Sequence, residues 1–295
     1  MIYDLTHLTH YEYGAPVVVN DCVLHLRPRD EPGQKVSDFR IEAQPAARDW
    51  SVSEDAFGNS VARLHIATSH REMSIKSTSR VEVARAAPPI PALTPAWEEI
   101  AAEAAASESL KPDSPAFALY PSRRVPLFPA VATYARESFP AGRPIYEAAA
   151  ELNARIKKDF AYDTKATEVT TSPADAFAAR RGVCQDFAHI MIAGLRSLSL
   201  PALYVSGYIR TIPPPGRPRL AGADASHAWV AVWCGPSFGW LGLDPTNAIP
   251  EGDDHIVVAR GRDYADVPPV DGVILSYGGH ELDVAVDVVP VEGKG

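Results

Sequence analysis

Ala86-Ala87-Pro88-Pro89-Ile90-Pro91-Ala92-Leu93 divides this chain into two stretches with different periodicities. Its prolines fix φ and remove backbone donors, so the segment belongs to neither a helix interior nor a sheet ladder and reads as a stiff, extended connector. Before it, Leu5 to Tyr13, Val17 to Leu26, Val36 to Ala43, Val61 to Ala67 and Met73 to Val83 favour strands, with Gly, Pro, Asn and Asp between them. Five or more short strands without a helix predict an antiparallel, sandwich-like domain. After it, Thr94-Pro95 starts an alanine-rich helix to about Ser107, a second helix runs from Pro129 to Ser138, and a third from Pro144 to Phe160. The third has an apolar face made by Ile145, Ala149, Leu152 and Ile156. The expected division is a β-rich domain over 1–86, a linker over 87–94 and an α+β domain over 95–295.

The chemistry concentrates between Thr171 and Leu200. Ser172-Pro173-Ala174-Asp175 has a hydroxyl cap, proline at the first helical position and an acid placed to reach back to the cap, which predicts a short helix from Pro173 to about Arg181. Gly182 suits the left-handed residue that ends it, and Phe187, Ala188, Met191, Ile192, Leu195 and Leu198 restart a helical period. Cys184 then stands at a helix start, where unpaired amides and the dipole favour a thiolate. A cysteine here is also an ordinary small core residue, and a base with an orienting acid decides between the two readings.

Ser226 to Trp233 alternates and is rich in β-formers, and Gly239-Trp240-Leu241-Gly242-Leu243-Asp244 is a second extended run. A hairpin about Gly235-Pro236 brings His227 and Asp244 opposite or nearly opposite each other. Cysteine on a helix tip, facing a histidine and an aspartate on paired strands, makes an acyl-transfer site. His189 falls about 140° round its helix from Cys184 and is a poor base for it. His255 and His280 sit in turn-like settings with no better claim.

Gly182-Val183-Cys184-Gln185-Asp186, Ser226-His227-Ala228-Trp229-Val230 and Gly242-Leu243-Asp244-Pro245-Thr246-Asn247 together resemble the transglutaminase-like superfamily. The bacterial branch with a β-rich N-terminal domain is the closer likeness, because Leu26-Arg27-Pro28-Arg29, Asp55-Ala56-Phe57-Gly58-Asn59 and Gly261 to Val267 also resemble it. The resemblance implies a papain-like core with Cys184 as nucleophile, His227 as base and Asp244 as orienter. It does not settle the substrate, for which a peptide or protein amide is the expectation. An aromatic residue before the nucleophile assists the oxyanion in such enzymes, which makes Tyr162 a candidate beside Gln185; a tyrosine packed at a helix end is the plainer reading. Amide hydrolase, amine-accepting transglutaminase and a non-catalytic module that keeps the fold all stay open.

With 28 basic and 37 acidic residues and no basic run, nucleic acid is not an expected partner. No apolar run reaches membrane length, and the first residues lack a basic region followed by an apolar stretch, so a membrane is not expected either. Three cysteines, Cys22, Cys184 and Cys234, make no disulfide framework, which favours a reducing, cytoplasmic location. His7, His10, His25, His65 and His70 share no ligand spacing, and no calcium loop occurs, so neither metal nor cofactor is expected. The segment 211–224, rich in proline and without periodicity, reads equally as a lid beside His227 or as a passive loop. Gly272 to Ser276 and Glu281 to Val289 are expected to close the core sheet as a hairpin.

Overall fold

The computed structural model describes residues 1–211, 222 and 225–291. Six strands precede the connector: β1 (Ile2–Val17), β2 (Val19–Leu24), β3 (Gln34–Gln44), β4 (Asp49–Glu54), β5 (Ser60–Ile66) and β6 (His70–Val83). Alternation along β1 buries Tyr3, Leu5, His7 and Thr9 on one face, which is the period a half-covered strand requires. Leu24, Leu64, Ile66, Met73 and Ile75 fill the space between the two sheets. Strand β4, outside the expected strands, is exposed at every residue, Trp50 and Val52 included; its place is set by backbone pairing with β5, from Asp49 opposite His65 to Glu54 opposite Ser60.

Among the described residues five helices and nine further strands follow: α1 (Trp97–Ala105), α2 (Pro129–Arg136), α3 (Ile145–Asp159), β7 (Ala161–Tyr162), α4 (Pro173–Ala179), β8 (Arg181–Gly182), α5 (Cys184–Arg196), β9 (Ala202–Ile209), β10 (Ala225–Trp233), β11 (Trp240–Asp244), β12 (Ile249–Pro250) and β13 (His255–Gly261), then β14 (Val270–Leu275) and β15 (His280–Pro290). The core sheet runs β12-β11-β10-β9-β13 and is antiparallel throughout. Helix α5 lies on it with every residue from Asp186 to Arg196 buried, and the predicted face of α3 packs into the same core.

The last two strands correct an expectation, since they leave the core sheet alone and extend the two N-terminal sheets. Strand β15 pairs with β1 from Pro290 opposite Tyr3 to His280 opposite Tyr13, and β14 pairs with β2 from Val270 opposite Leu24 to Leu275 opposite Val19. The long edge of β1 offers eleven ladder positions in register. Val286 and Val288 gain burial there among Tyr3, Leu5 and Val81, together with Tyr208, Ile256 and Val258 of the core sheet. The end of α4 is the second correction: Arg180, at φ 53°, takes the left-handed position assigned to Gly182. Its guanidinium lies 4.3 Å from the Phe177 ring centre and 4.7 Å from that of Phe160, contacts that offset the conformational cost.

The N-terminal motifs form the seam between the sheets and the core. Gln34 both accepts from Val257 N–H and donates to Val257 C=O, each at 2.8 Å. Asn59, fully buried, accepts from Arg29 Nη1 at 2.6 Å and Arg260 N–H at 2.8 Å, and donates to Arg260 C=O at 2.7 Å. Asn59→Ala strands these buried partners and is expected to cost about 3 kcal/mol. A melting temperature lower by several degrees is the expected reading, and an unchanged one would show that Asn59 does not hold the seam.

Candidate active site

Gly182 is needed for room rather than for a positive φ. A Cβ there would lie 2.5 Å from Asp186 Oδ2. That oxygen accepts from Val183 N–H at 2.8 Å and from the Thr167 hydroxyl at 2.6 Å, which closes the first turn of α5 from beneath. Burial raises the Asp186 carboxyl and these two bonds pull it back. Cys184 is the first residue of α5, where backbone N–H groups have no intrahelical acceptor. Its thiol is partly exposed, whereas Cys22 and Cys234 are buried.

Strand β10 brings His227 opposite Gly207 on β9. A Cβ at Gly207 would stand 2.1 Å from Ile256 C=O and 2.5 Å from the Trp229 ring, so only glycine lets three strands and an indole converge beneath the histidine. The β10–β11 ladder runs from Trp233 opposite Trp240 to Val230 opposite Leu243. Asp244, one residue further, is diagonal to His227 and on the same face. His227 Nε2 meets Asp244 Oδ2 at 2.8 Å, with the histidine 8% exposed and the aspartate fully buried.

Asp244 is held from both sides. Oδ1 accepts from Thr246 N–H at 2.9 Å and Asn247 N–H at 3.2 Å, and Oδ2 also takes Asn247 Nδ2 at 2.7 Å and His255 Nε2 at 3.3 Å. His255 is therefore no turn residue without a role, as the sequence reading had it. It opens β13, fully buried, and its Nδ1 accepts from Gly252 N–H at 3.2 Å. That contact puts the ring proton on Nε2, facing Asp244. Its share in the site arises from the strand order, which sequence spacing does not display.

The charges follow from these contacts. Burial is the largest single influence and would lower His227 and raise Asp244, but their mutual hydrogen bond, the Cys184 contact of the imidazole, the His255 and Asn247 bonds to the carboxylate and the attraction of opposite charges together outweigh it. His227 is pushed up to about 10 and Asp244 is held far below the usual carboxylate range. With Nε2 on Asp244, Nδ1 is the nitrogen that faces the thiol. His227, Asp244 and His255 also offer donor atoms within 4.8 Å of one another, a cluster assembled from three strands that no spacing along the chain displays. Two imidazole donors on one carboxylate account for the same geometry.

The site opens into a cleft of about 330 Å³ between the α5 tip, β9 and β10 on one side and β1 and β15 on the other. Gln185 lines it and donates Nε2 to Val169 C=O at 3.2 Å. Tyr162 is half exposed, packs edge-on against Phe187 and sits opposite Gly182 in the short β7–β8 pair. Burial and then the nearby Cys184 charge raise its hydroxyl. His189 is not a base here: its Nε2 accepts Tyr264 N–H at 3.2 Å, which sets Tyr264 in the cleft wall. Asp263, buried, holds the same turn through Arg124 N–H at 2.7 Å and Ala265 N–H at 2.8 Å. The Gly261 to Val267 motif thus has a structural task. The proposed lid over 211–224 lies outside the described residues, 211 and 222 excepted.

A model described as the bacterial transglutaminase-like N-terminal region matches residues 3–82, and one described as the transglutaminase-like superfamily matches residues 132–245. An uncharacterized protein of Mycobacterium tuberculosis is 42% identical over 99% of this chain and 93% of its own length. One of Mycobacterium leprae is 33% identical over 96% and 97%. Among solved structures, a "putative cysteine protease" from Cytophaga hutchinsonii superimposes with a TM-score of 0.73 at 20% identity, covering 99% of this chain and 92% of that one. At that identity the likeness speaks for the fold.

Proposed function

We propose that this chain, which belongs to the transglutaminase-like superfamily, catalyses thiol-dependent hydrolysis or acyl transfer at a peptide or side-chain amide. The observation that carries the reading is one imidazole bridging two partners: His227 has Asp244 on Nε2 and the Cys184 thiol as its other neighbour. A histidine biased this strongly towards imidazolium draws the thiol proton onto Nδ1. The Cys184 sulfur then attacks the amide carbon, and the oxyanion forms over the backbone N–H groups at the α5 tip. Gln185, which lines the cleft, and Tyr162, whose hydroxyl feels the Cys184 charge, are the side-chain candidates to assist. His227 returns its proton to the leaving amine, and the S–acyl bond is broken in the second half by water, whose proton passes to His227. His255 holds Asp244 from behind, a positioning role rather than a catalytic one. No helix among the described residues is long and apolar enough to cross a membrane. A reducing, cytoplasmic compartment fits a site built on a free thiol.

Limiting iodoacetamide at pH 7 is expected to modify Cys184 first. Burial pushes Cys22 up to about 11 and Cys234 higher still, so neither supplies thiolate at that pH. Mass spectrometry that found Cys22 or Cys234 labelled ahead of Cys184 would sink the nucleophile assignment. With a turned-over amide in hand, partition of the acyl-enzyme between water and added primary amine separates hydrolase from transferase. A labelled thiol with no turnover of any amide would favour the non-catalytic module.

A further inference from the structure

The wall of the cleft opposite Cys184 comes from the N-terminal sheet. The β1–β15 register sets Tyr11 beside Leu282 and Thr9 beside Val284, and the strand period turns all four towards the cleft. Leu282 and Val284 are 54% and 44% exposed, an unusual state for two aliphatic side chains on one face of a strand. Pro269 and Val270 continue the surface, and an adjoining hollow of about 200 Å³ shares Tyr11 and Val270 with the cleft. Among the described residues that line the cleft there is no Asp, Glu, Lys or Arg. Against the β1–β15 wall itself a charged substrate side chain would meet no counter-ion among the described residues that line the cleft, the charge of His227 lying on the opposite side and Asp271 in the adjoining hollow, while an apolar one would cover exposed aliphatic surface.

We infer that the β1–β15 ribbon is the side-chain-selecting wall of the site and that the acyl donor is a peptide with a large aliphatic or aromatic side chain beside the scissile amide. This rests on the amide chemistry proposed above, and it gives the N-terminal domain a part in specificity. The occupant is the reacting peptide itself, because the wall is continuous with the Cys184 cleft and cannot be covered by another partner without closing that cleft.

The test uses N-acetyl dipeptide amides that differ only in one side chain: Leu, Phe, Asp or Lys. Their affinities are measured by calorimetry on full-length Cys184→Ala, so that binding is read without catalysis. The Leu and Phe peptides are expected to bind at least about tenfold tighter than the Asp and Lys peptides. Val284→Lys or Leu282→Lys, each at a half-exposed position that leaves the fold standing, should erase that preference and improve the Asp peptide. Equal affinity across the panel, or a preference untouched by both lysine variants, overturns the inference. Turnover by the unmodified chain is measured in parallel. Selective binding without turnover would refute the amide chemistry and leave the wall, whereas turnover without side-chain preference would refute the wall alone.

Discussion

Asp244→Asn is expected to lower turnover at least about a hundredfold. The wild-type carboxylate is an acceptor at every contact: two backbone N–H groups on Oδ1, and His227, His255 and Asn247 Nδ2 on Oδ2. Asparagine can keep its oxygen for the two backbone groups only by turning its NH₂ towards the imidazoles. His227 Nε2 must then accept, which moves the ring proton to Nδ1 and points it at the Cys184 sulfur. A base that already carries a proton on that nitrogen cannot take the thiol's. His255 has no such freedom, because its Nδ1 is engaged by Gly252 N–H. Its Nε2–H would face another donor, and a buried clash of donors costs about 1 to 3 kcal/mol. The melting temperature is therefore expected to fall as well, so turnover must be compared well below it. The rate of Cys184 alkylation at pH 7 gives a reading that needs no substrate and should fall with turnover. Near-normal rates in both assays would remove Asp244 from the mechanism.

What made Asp244 legible is that its main contacts are local. His227 reaches it across one hairpin, so strand period and an assumed register about Gly235-Pro236 brought the two together, whereas the Thr246 and Asn247 contacts from the next turn emerge only in the structure. The strands flanking the connector, the α3 face and the start of α5 were readable for the same reason. His255 was not, because it meets Asp244 only through the order β11-β10-β9-β13, which places the two residues in one buried layer from different strands. The β14–β15 hairpin was recognisable as a pair of strands, but its partner depended on which distant edge stood open. Local patterning could not choose between the core sheet and β1. Arg180 and Gly182 show a related limit. Glycine was assigned the left-handed residue on backbone freedom alone, whereas three aromatic rings around the Arg180 guanidinium shift that conformation two positions earlier, and glycine is required for its lack of a side chain.

The fold is expected to lose stability as pH falls from about 6.5 towards 4, before most carboxylates are protonated. His189 and His7 are both buried, and burial pushes each down to about 4 from an ordinary 6.5. The folded state therefore holds fewer protons than the unfolded chain across that window, so stability rises with pH within it and is lost on acidification. Each histidine contributes on the order of 3 kcal/mol to that loss, the free-energy equivalent of a proton affinity lowered from 6.5 to about 4. His227 does not offset this. Its raised affinity for protons stabilises fully below 6.5 and is lost only as pH climbs towards 10, so its contribution is flat through the acid window. The chemistry at His189 is specific: Nε2 accepts Tyr264 N–H, and protonation would set a buried N–H against that donor and release the turn that places Tyr264 in the cleft wall. His189→Gln offers an amide oxygen to Tyr264 without a titration near neutrality. Urea midpoints at pH 7.5 and pH 5 should therefore differ less in this variant than in the parent chain, whatever the variant's absolute stability. Parallel losses in the two proteins would show that His189 is not what fails in acid.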